Sequence, residues 1–203
     1  MASKGSSLSV TDLFCGAGGS SLGMHHAGDD VEVVLALNHW KMAIESHAAN
    51  FPGATHDIAD ISETDPRRYR STTVLWASPS CQNHALAKGR PRKGQPQPGL
   101  FEDDHDPAEE RSRATMDDVP RFAACHAYEV VIVENVIEVR WWSGYDNWIR
   151  AMHLLGYDHR AVYFNSMFAH LDPAVVRQHH DYAPQSRDRI YIVFWKRGNK
   201  APD

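Results

Sequence analysis

Short apolar runs alternate with segments of helical periodicity along most of this chain. Runs of strand length predict β-strands at residues 8–14, 31–37, 74–76, 130–133, 160–165 and 190–195. Helical patterns fall between them, at 20–26, 41–50, 116–128 and 145–155, and Pro52 with Gly53 ends the second helix. Strands that alternate with helices favour a mostly parallel sheet with helices on both faces. The sequence therefore predicts one α/β domain.

Residues 84–112 interrupt this alternation. The segment is rich in proline and glycine, so we predict a long mobile loop, and loops of that length inside a compact domain are usually functional. Its first part carries the basic cluster Lys88, Arg90, Arg92 and Lys93. Such a cluster is suited to contact with a polyanionic substrate.

Composition narrows the class of protein. The chain has 203 residues, 42% of them hydrophobic, and a net charge of −5, which argues against a general nucleic-acid coat. No stretch approaches the ~18 apolar residues of a membrane-spanning helix, so we expect a cytoplasmic protein. Cys15, Cys81 and Cys125 lie far apart without CxxC spacing, so neither a disulfide framework nor a metal site is predicted.

Four short segments carry candidate chemistry. Cys81 lies in ASPSCQ (77–82), on a proline-stiffened turn after a predicted strand, which is a position typical of a nucleophile. Glu134 ends the strand at 130–133 in the sequence VENV, and Arg187 and Arg189 lie in PQSRDR (184–189). Upstream, DLFCGAGG (12–19) forms a glycine-rich turn after the first strand, where close backbone approach to a ligand is possible.

Together these segments resemble the motif series of the cytosine-C5 DNA methyltransferases, in that family's order and at plausible spacings. The resemblance covers residues 8 to about 195. It implies a Rossmann-like methyltransferase fold that uses S-adenosylmethionine as its cofactor. It further implies a DNA (cytosine-5-)-methyltransferase of the restriction-modification kind, of bacterial or phage type.

The resemblance also implies a cofactor site. The glycine turn would cradle the methionine part of the cofactor. Asn38 stands where the family normally has the glutamate that binds the ribose, and an amide makes weaker bonds to hydroxyls than a carboxylate does. His39 or Trp40 would stack on the adenine, and Asp57 would accept from its amino group. The implied cofactor-binding residues are Phe14, Gly16, Gly18, Gly19, Asn38, His39, Asp57, Ile58 and Pro79.

The implied chemistry requires a thiolate and an acid. C5 of cytosine becomes nucleophilic only after a thiolate attacks C6, so by resemblance Cys81 attacks C6 and Glu134 donates to N3. Asn135 would support the loop that carries the thiol. Arg187 and Arg189 would hold the base carbonyl, the Glu134 carboxylate or a nearby phosphate.

The substrate is expected to be a cytosine in double-stranded DNA, turned out of the helix so that C6 can be reached. The residues implied to contact DNA are Gln82, Lys88, Arg90, Arg113 and Gln185.

The chain departs from the family pattern at two places. Ser80 precedes Cys81 where the family has proline, and Pro79 lies one position earlier, so the turn loses one fixed φ angle. The sequence also ends at Asp203, where the family continues into a target-recognition domain and a last cofactor-binding segment. We therefore expect the catalytic part only, truncated or naturally split, with a second polypeptide supplying the remainder.

Three alternatives compete with this interpretation. The first is an RNA cytosine methyltransferase of the same superfamily, disfavoured because the Cys-Phe-Thr signature of the tRNA-directed branch is absent. The second is a non-catalytic cofactor-binding or regulatory partner of a methyltransferase, disfavoured because Cys81 and Glu134 are both present. The third is a Rossmann-type dehydrogenase, disfavoured by Phe14 and by the missing ribose-binding acid.

Overall fold

A computed structural model describes residues 7–80, 107–168 and 185–201, with the side chains of 107–114 excepted. The strands of this part are β1 (Leu8–Leu13), β2 (Val31–Asn38), β3 (Thr55–Ile58), β4 (Val74–Ala77), β5 (Val130–Asn135), β6 (Tyr157–Asn165) and β7 (Asp188–Lys196). The α-helices are α1 (Gly19–Ala27), α2 (Lys41–Asn50), α3 (Pro107–His126) and α4 (Tyr145–Leu154). Short 3₁₀ helices cover Pro66–Arg68 and Ile137–Trp141.

The strands form one sheet in the order β3-β2-β1-β4-β5-β7-β6. The pairs among β1 to β5 are parallel, whereas β7 runs antiparallel to both of its neighbours. The predicted mostly parallel sheet is therefore confirmed. The chain reverses its direction of winding between β1 and β4, and ligands of such sheets bind at the carboxyl ends of the strands beside that reversal.

The strand register brings the predicted motifs to one edge of the sheet. Leu13 pairs with Leu37 and with Ala77, and Ala77 pairs with Val133. The next position along each of these four strands is Phe14, Asn38, Ser78 or Glu134. Segments far apart in sequence thus end side by side at the carboxyl edge.

The core lies mainly on one face of the sheet. There β4, β5 and β7 bury alternate side chains, including Leu75, Val133 and Ile192, against α3 and α4. The ring of Trp148 on α4 packs edge-on to Phe194, with ring centroids 5.4 Å apart. On the opposite face, the same strands expose part of every side chain: the half-buried residues are Val74, Trp76, Val130, Ile132, Tyr191, Val193 and Trp195. That second face is apolar and less completely covered.

Most predicted elements are confirmed to within a few residues, and α2 has the predicted bounds. The strand β3 was not predicted, because Thr55–Ile58 is short, largely polar and at the edge of the sheet. The loop prediction is wrong at its end: α3 begins at Pro107, so 107–112 are helical, while 84–106 lie outside the described residues. In the described part of the chain, no helix is both long enough and apolar enough to cross a membrane.

Candidate active site

The glycine-rich turn after β1 has an unusual backbone. Phe14 has φ 59°, Gly16 φ 55° and Gly18 φ 102°, and the Gly18 amide donates to the carbonyl of Cys15 at 3.1 Å. Positive φ is strained for phenylalanine, and such strain is typical of functional sites. The half-buried Phe14 ring packs against the main core, which holds this conformation in place.

The three glycines of this turn have different reasons to lack a side chain. A Cβ at Gly18 would lie 2.6 Å from Cε2 of Phe51, so packing and φ both require glycine there. A Cβ at Gly16 or Gly19 would meet nothing within 4 Å. A cavity of about 500 Å³ borders the end of the turn and the facing parts of α1 and α2. Its lining residues are Ala17, Gly18, Gly19, Leu22, His25, Asn50 and Phe51. Gly16 and Gly19 therefore have open space beside their Cα atoms, whereas Gly18 is packed against Phe51.

Asp12, directly beneath the turn, carries a buried carboxyl group with an unused oxygen. Oδ2 accepts hydrogen bonds from the hydroxyls of Ser20 and Ser21, each at 2.7 Å, whereas Oδ1 is buried and has no hydrogen-bond partner within the described part of the molecule. Burial raises the pKa of Asp12 to about 6, and the two serine bonds oppose that rise. A buried carboxylate with a free acceptor suits a ligand that carries positive charge.

The predicted ribose and adenine residues lie together at the ends of β2 and β3. Asn38 is buried, and its Oδ1 accepts from the Trp40 amide at 2.9 Å, which leaves its amide nitrogen as the possible donor to a ligand. His39 and Ile58 are exposed, and Trp40 is 57% exposed. Flat and apolar surfaces are thus available on either side of Asn38.

Asp57 is fixed by a neighbour across the site. Its Oδ2 accepts from the hydroxyl of Tyr69 at 2.7 Å, so Oδ1 is the oxygen that could accept from an adenine amino group. Burial, with Asp57 as a smaller cause, raises the pKa of Tyr69 to about 12, so the phenol remains a donor.

Glu134 lies at the carboxyl end of β5 within a cluster of opposite charge. Its Oε1 is 2.7 Å from Nε of Arg189 and 3.8 Å from Nη2 of Arg187. Glu134 and Arg189 are largely buried, with side chains 19% and 16% exposed, whereas Arg187 is 48% exposed. The structure thus brings together the two predicted arginines and the predicted acid.

Asn135 joins β5 to the segment that leads to Cys81. Its Nδ2 donates to the carbonyl of Pro79 at 3.4 Å, and Pro79 is buried. The asparagine side chain also accepts from the Val136 amide at 2.8 Å, so its orientation is fixed from two sides. The chain continues from Pro79 through Ser80 to Cys81.

Several predicted residues lie outside the described part of the structure, namely Cys81, Gln82, Lys88 and Arg90. Arg113 belongs to α3, but its side chain is not described. Gln185 is exposed, and its carbonyl accepts from the Ser166 hydroxyl at 3.4 Å. The DNA-contacting roles of these residues remain predictions.

Neither of the two cysteines within the described residues has the position of a nucleophile, and the reason differs between them. Cys15 is buried, and burial raises the pKa of its thiol to about 12, with Asp12 as a further cause. Cys125 is exposed on α3 near its end, away from the carboxyl edge of the sheet. Neither one is placed to serve as a thiolate beside Glu134.

Sequence reasoning did not single out Asp12, Ser21 and His47 as parts of the site. Ser21 Oγ lies 2.8 Å from Nε2 of His47, and His47 Nδ1 lies 2.8 Å from Nε2 of His56. The helical periodicity of α2 does indicate that His47 is buried. Nothing in the sequence indicates that His47 contacts Ser21.

Comparison with known proteins agrees with this geometry. Residues 8–202 match the family of C-5 cytosine-specific DNA methylases, and the chain belongs to that family. The type II methyltransferase M.NlaX of Neisseria lactamica is 28% identical over 185 residues, which are 91% of this chain and 51% of that protein. M.HgiGI of Herpetosiphon aurantiacus, also a type II methyltransferase, is 33% identical over 87 residues, 41% of this chain and 67% of that protein.

Solved structures show the same fold. A protein described as a DNA modification methyltransferase encoded within an E. coli prophage superposes with a TM-score of 0.64 and 25% identity, over 94% of this chain and 47% of that one. The DNMT2 structure from Spodoptera frugiperda gives a TM-score of 0.68 at 18% identity, over 97% of this chain and 52% of that one. The chain thus spans about half the length of these proteins and of M.NlaX.

The family and the Rossmann-like methyltransferase fold imply S-adenosylmethionine as the cofactor. The residues present fit this group. The bare turn at Gly19 offers space for the methionine part, the unpartnered Asp12 oxygen suits a cationic ligand, and Asn38 and Asp57 offer polar groups at the ribose and adenine ends. The family match also removes the dehydrogenase alternative.

Proposed function

We propose that this chain is the catalytic part of a DNA cytosine-5 methyltransferase that uses Cys81 as a covalent nucleophile and Glu134 as its acid. The main support is the contact between the segment that contains Glu134 and the segment that leads to Cys81. Asn135 of β5 binds the carbonyl of Pro79, two residues before Cys81, while its neighbour Glu134 is paired with Arg189. This arrangement supports a nucleophile and an acid that serve one bound base.

The proposed reaction begins when the Cys81 thiolate forms a bond to C6 of the cytosine. The C5–C6 π electrons then move toward N3, where a proton from Glu134 relieves the charge, and C5 becomes nucleophilic. S-adenosylmethionine supplies the methyl group that C5 takes up, and S-adenosylhomocysteine leaves. Water takes the C5 proton as the sulfur–C6 bond breaks, and the N3 proton returns to the Glu134 carboxylate, so that the aromatic ring, the Cys81 thiolate and the acid are restored.

Arg189 and Arg187 have a proposed supporting role in this reaction. Arg189 contacts Glu134 through Nε, which holds the carboxyl group in one orientation. Arg187 is half exposed and has further donors available for the base carbonyl or an adjacent phosphate. The basic cluster at 88–93 and the side chains of Gln82, Arg113 and Gln185 are proposed to contact the DNA, in the cytoplasm.

We further propose that target recognition comes from polypeptide beyond these 203 residues. Two observations support this. The chain spans about half of M.NlaX. The face of β4, β5 and β7 opposite the core also keeps seven largely apolar side chains only half-buried, among them Trp76, Ile132 and Val193. A surface of this kind is suited to cover by another segment.

Methylation of DNA in vitro tests the proposed function. The chain would be purified alone and co-expressed with a polypeptide that carries a target-recognition segment of this family, and 5-methyl-deoxycytidine would be measured by mass spectrometry. We expect little product from the chain alone and methylation at one defined site from the pair. Activity of the chain alone on a specific duplex would contradict the need for a second segment.

The same assay separates the alternatives. Product in transfer RNA rather than in DNA would replace the DNA proposal by the RNA alternative. Product that persists in the Cys81→Ser variant would contradict the catalytic role of Cys81. Stimulation of another methyltransferase without any Cys81-dependent product would favour the regulatory alternative.

A further inference from the structure

A chain of hydrogen bonds lies beneath the glycine-rich turn and joins four elements of the fold. It passes from Asp12 of β1 to Ser21 of α1 at 2.7 Å, from Ser21 to His47 of α2 at 2.8 Å, and from His47 to His56 of β3 at 2.8 Å. Asp12, Ser21 and His47 are each 0% exposed, whereas His56 is half-buried. We call these four residues the Asp12 relay.

The number of protons on each group determines which atom donates in each hydrogen bond of the relay. With Asp12 ionised, Oδ2 is an acceptor only, so Ser21 uses its one proton on Asp12. The short contact from Ser21 Oγ to Nε2 of His47 then requires the imidazole to donate from Nε2. A neutral imidazole with its proton on Nε2 must accept at Nδ1, so His56 donates from its own Nε2. Every donor in the relay points toward Asp12.

The electrostatics agree with that direction. Burial, followed by the neighbouring His56, lowers the pKa of His47 to about 4, so the ring is neutral at physiological pH. The titratable groups that face Asp12 within the described residues are the Cys15 thiol of the turn and, through Ser21, His47. Ser20 and Ser21 of α1 add hydroxyls, and the aligned residue on β4 is Trp76, which does not titrate.

His47 also touches the turn itself. A Cβ placed on Gly18 would lie 3.3 Å from Cδ2 of His47, and the His47 and Phe51 rings lie 4.9 Å apart. The imidazole therefore packs beside Gly18 and also donates the hydrogen bond that orients Ser21. One residue thus packs near Gly18 and also contacts Ser21, which lies two residues after the turn.

We propose that His47 is a positioning residue for the cofactor, and that it acts through a relay in which its Nε2–H fixes Ser21 on Asp12 and thereby the turn from Phe14 to Gly19. The proposal rests on the proposed function, in which this turn carries S-adenosylmethionine. Its consequence is that cofactor affinity depends on a histidine that lies below the turn and is fully buried.

Two substitutions at position 47 separate the two ends of the ring. In His47→Gln, the amide nitrogen can take the place of Nε2 and still donate to Ser21. In His47→Asn, the shorter side chain can replace only Nδ1, so it contacts His56 and leaves Ser21 without its donor. We expect S-adenosylhomocysteine affinity, measured by calorimetry, to fall about tenfold or more in the Asn variant and only about two- to threefold in the Gln variant. Equal losses in both would overturn the proposal.

A double-mutant cycle gives a sharper test, because Ser20 is a matched control for Ser21. Both hydroxyls bind Asp12 at 2.7 Å, but only Ser21 contacts His47. We expect His47→Asn and Ser21→Ala to be non-additive in affinity, since either change breaks the relay, and His47→Asn and Ser20→Ala to be additive. Additivity in both pairs would contradict a relay through Ser21.

Two measurements made without cofactor test the relay independently of the proposed function. Nitrogen-15 NMR of the imidazole is expected to show His47 neutral with its proton on Nε2; a proton on Nδ1 would overturn the assigned direction. Amide exchange of Gly18, whose N–H donates to Cys15, is expected to accelerate about tenfold in His47→Asn but not in His47→Gln. Failure of the chain to bind S-adenosylhomocysteine even when it is paired with a polypeptide that carries the missing cofactor-binding segment, with these two results as expected, would contradict the cofactor role of the turn and leave the relay intact.

Discussion

Oε1 of Glu134 on β5 lies 2.7 Å from Nε of Arg189 on the antiparallel neighbour β7. The two residues are 55 positions apart in sequence, yet the strand pairing brings them into a largely buried ion pair at the carboxyl edge of the sheet. The antiparallel direction of β7 is what makes this possible, because it places the first residues of β7 beside the last residues of β5.

Loss of the arginine should therefore affect both stability and activity. In Arg189→Met, Glu134 loses its nearest cation, and we expect the free energy of unfolding to fall by about 2 kcal/mol and methyl transfer to be lost. Arg197→Met is the matched control, because Arg197 pairs with Asp158 at 3.3 Å with both side chains well exposed. Urea unfolding should show a change below about 0.5 kcal/mol for the control. Similar losses in the two variants would count against a special role for the Glu134 pair.

Substitutions in the glycine turn should separate packing from cofactor binding. A side chain at Gly18 collides with Phe51, so Gly18→Ala is expected to destabilise the fold by about 1–3 kcal/mol. We expect it to lower the affinity for the cofactor as well. A side chain at Gly19 meets open space at the first position of α1, so Gly19→Ile should leave stability almost unchanged. We expect Gly19→Ile to lower S-adenosylhomocysteine affinity at least about tenfold in calorimetry. Unchanged affinity would place the cofactor elsewhere.

A carboxylate at position 38 should strengthen the ribose contact. Asn38→Glu replaces a neutral amide by a charged acceptor, and we expect cofactor affinity to rise about five- to tenfold through a charge-assisted bond. Because Asn38 is buried and binds the Trp40 amide, the same change should destabilise the cofactor-free protein. Asn38→Leu is the control, with weaker binding expected. Tighter binding by the Leu variant would show that position 38 does not contact the ribose.

The pH dependence of stability should reveal the neutral state of His47. Its pKa is lowered to about 4 in the folded chain from an ordinary value of 6.5, so the unfolded chain binds more protons between these values. The His47 contribution to the free energy of unfolding therefore rises with pH from about 4 to about 6.5. Asp12 has the opposite effect from about pH 4 to 6, because its pKa is raised to about 6.

The wild-type curve mixes these two effects, and a substitution separates them. In His47→Phe, the rising contribution is lost, so the destabilisation relative to wild type should be larger at pH 7 than at pH 4, by on the order of 1 kcal/mol. Chemical unfolding at both pH values measures it. A difference of the opposite sign would mean that His47 is charged in the folded protein.

The sequence predicted the fold well where one local pattern decides the structure. Apolar runs such as 130–133 and the helix at 41–50 needed only periodicity. The polar strand β3 gives no such signal, because it relies on pairing with β2. The start of α3 at Pro107 did have a signal, since proline favours the first turn of a helix, but the proline content of the segment suggested a loop instead.

The candidate site could be predicted only where its residues lie in short motifs. Glu134, Asn135, Arg187 and Arg189 are adjacent in sequence to strand ends, and the structure brings them together. The relay from Asp12 to His56 depends on how α1 and α2 pack against β1 and β3. Contacts of that kind are set by tertiary packing and have no local pattern. The same holds for the contact between Gly18 and Phe51, which adds packing to the positive φ as a reason for glycine at that position.

The central claim, that Cys81 forms a covalent bond to the target cytosine, is tested most directly by trapping that bond. Duplex DNA containing 5-fluorocytosine blocks the final elimination, because no C5 proton can leave. The chain would be incubated with this DNA, S-adenosylmethionine and a polypeptide that carries a target-recognition segment of this family, and the adduct mapped by peptide mass spectrometry. We predict a DNA adduct on the peptide that carries Cys81, lost in Cys81→Ser and kept in Cys125→Ser. An adduct of equal yield in Cys81→Ser, or one mapped to another residue, would contradict the account.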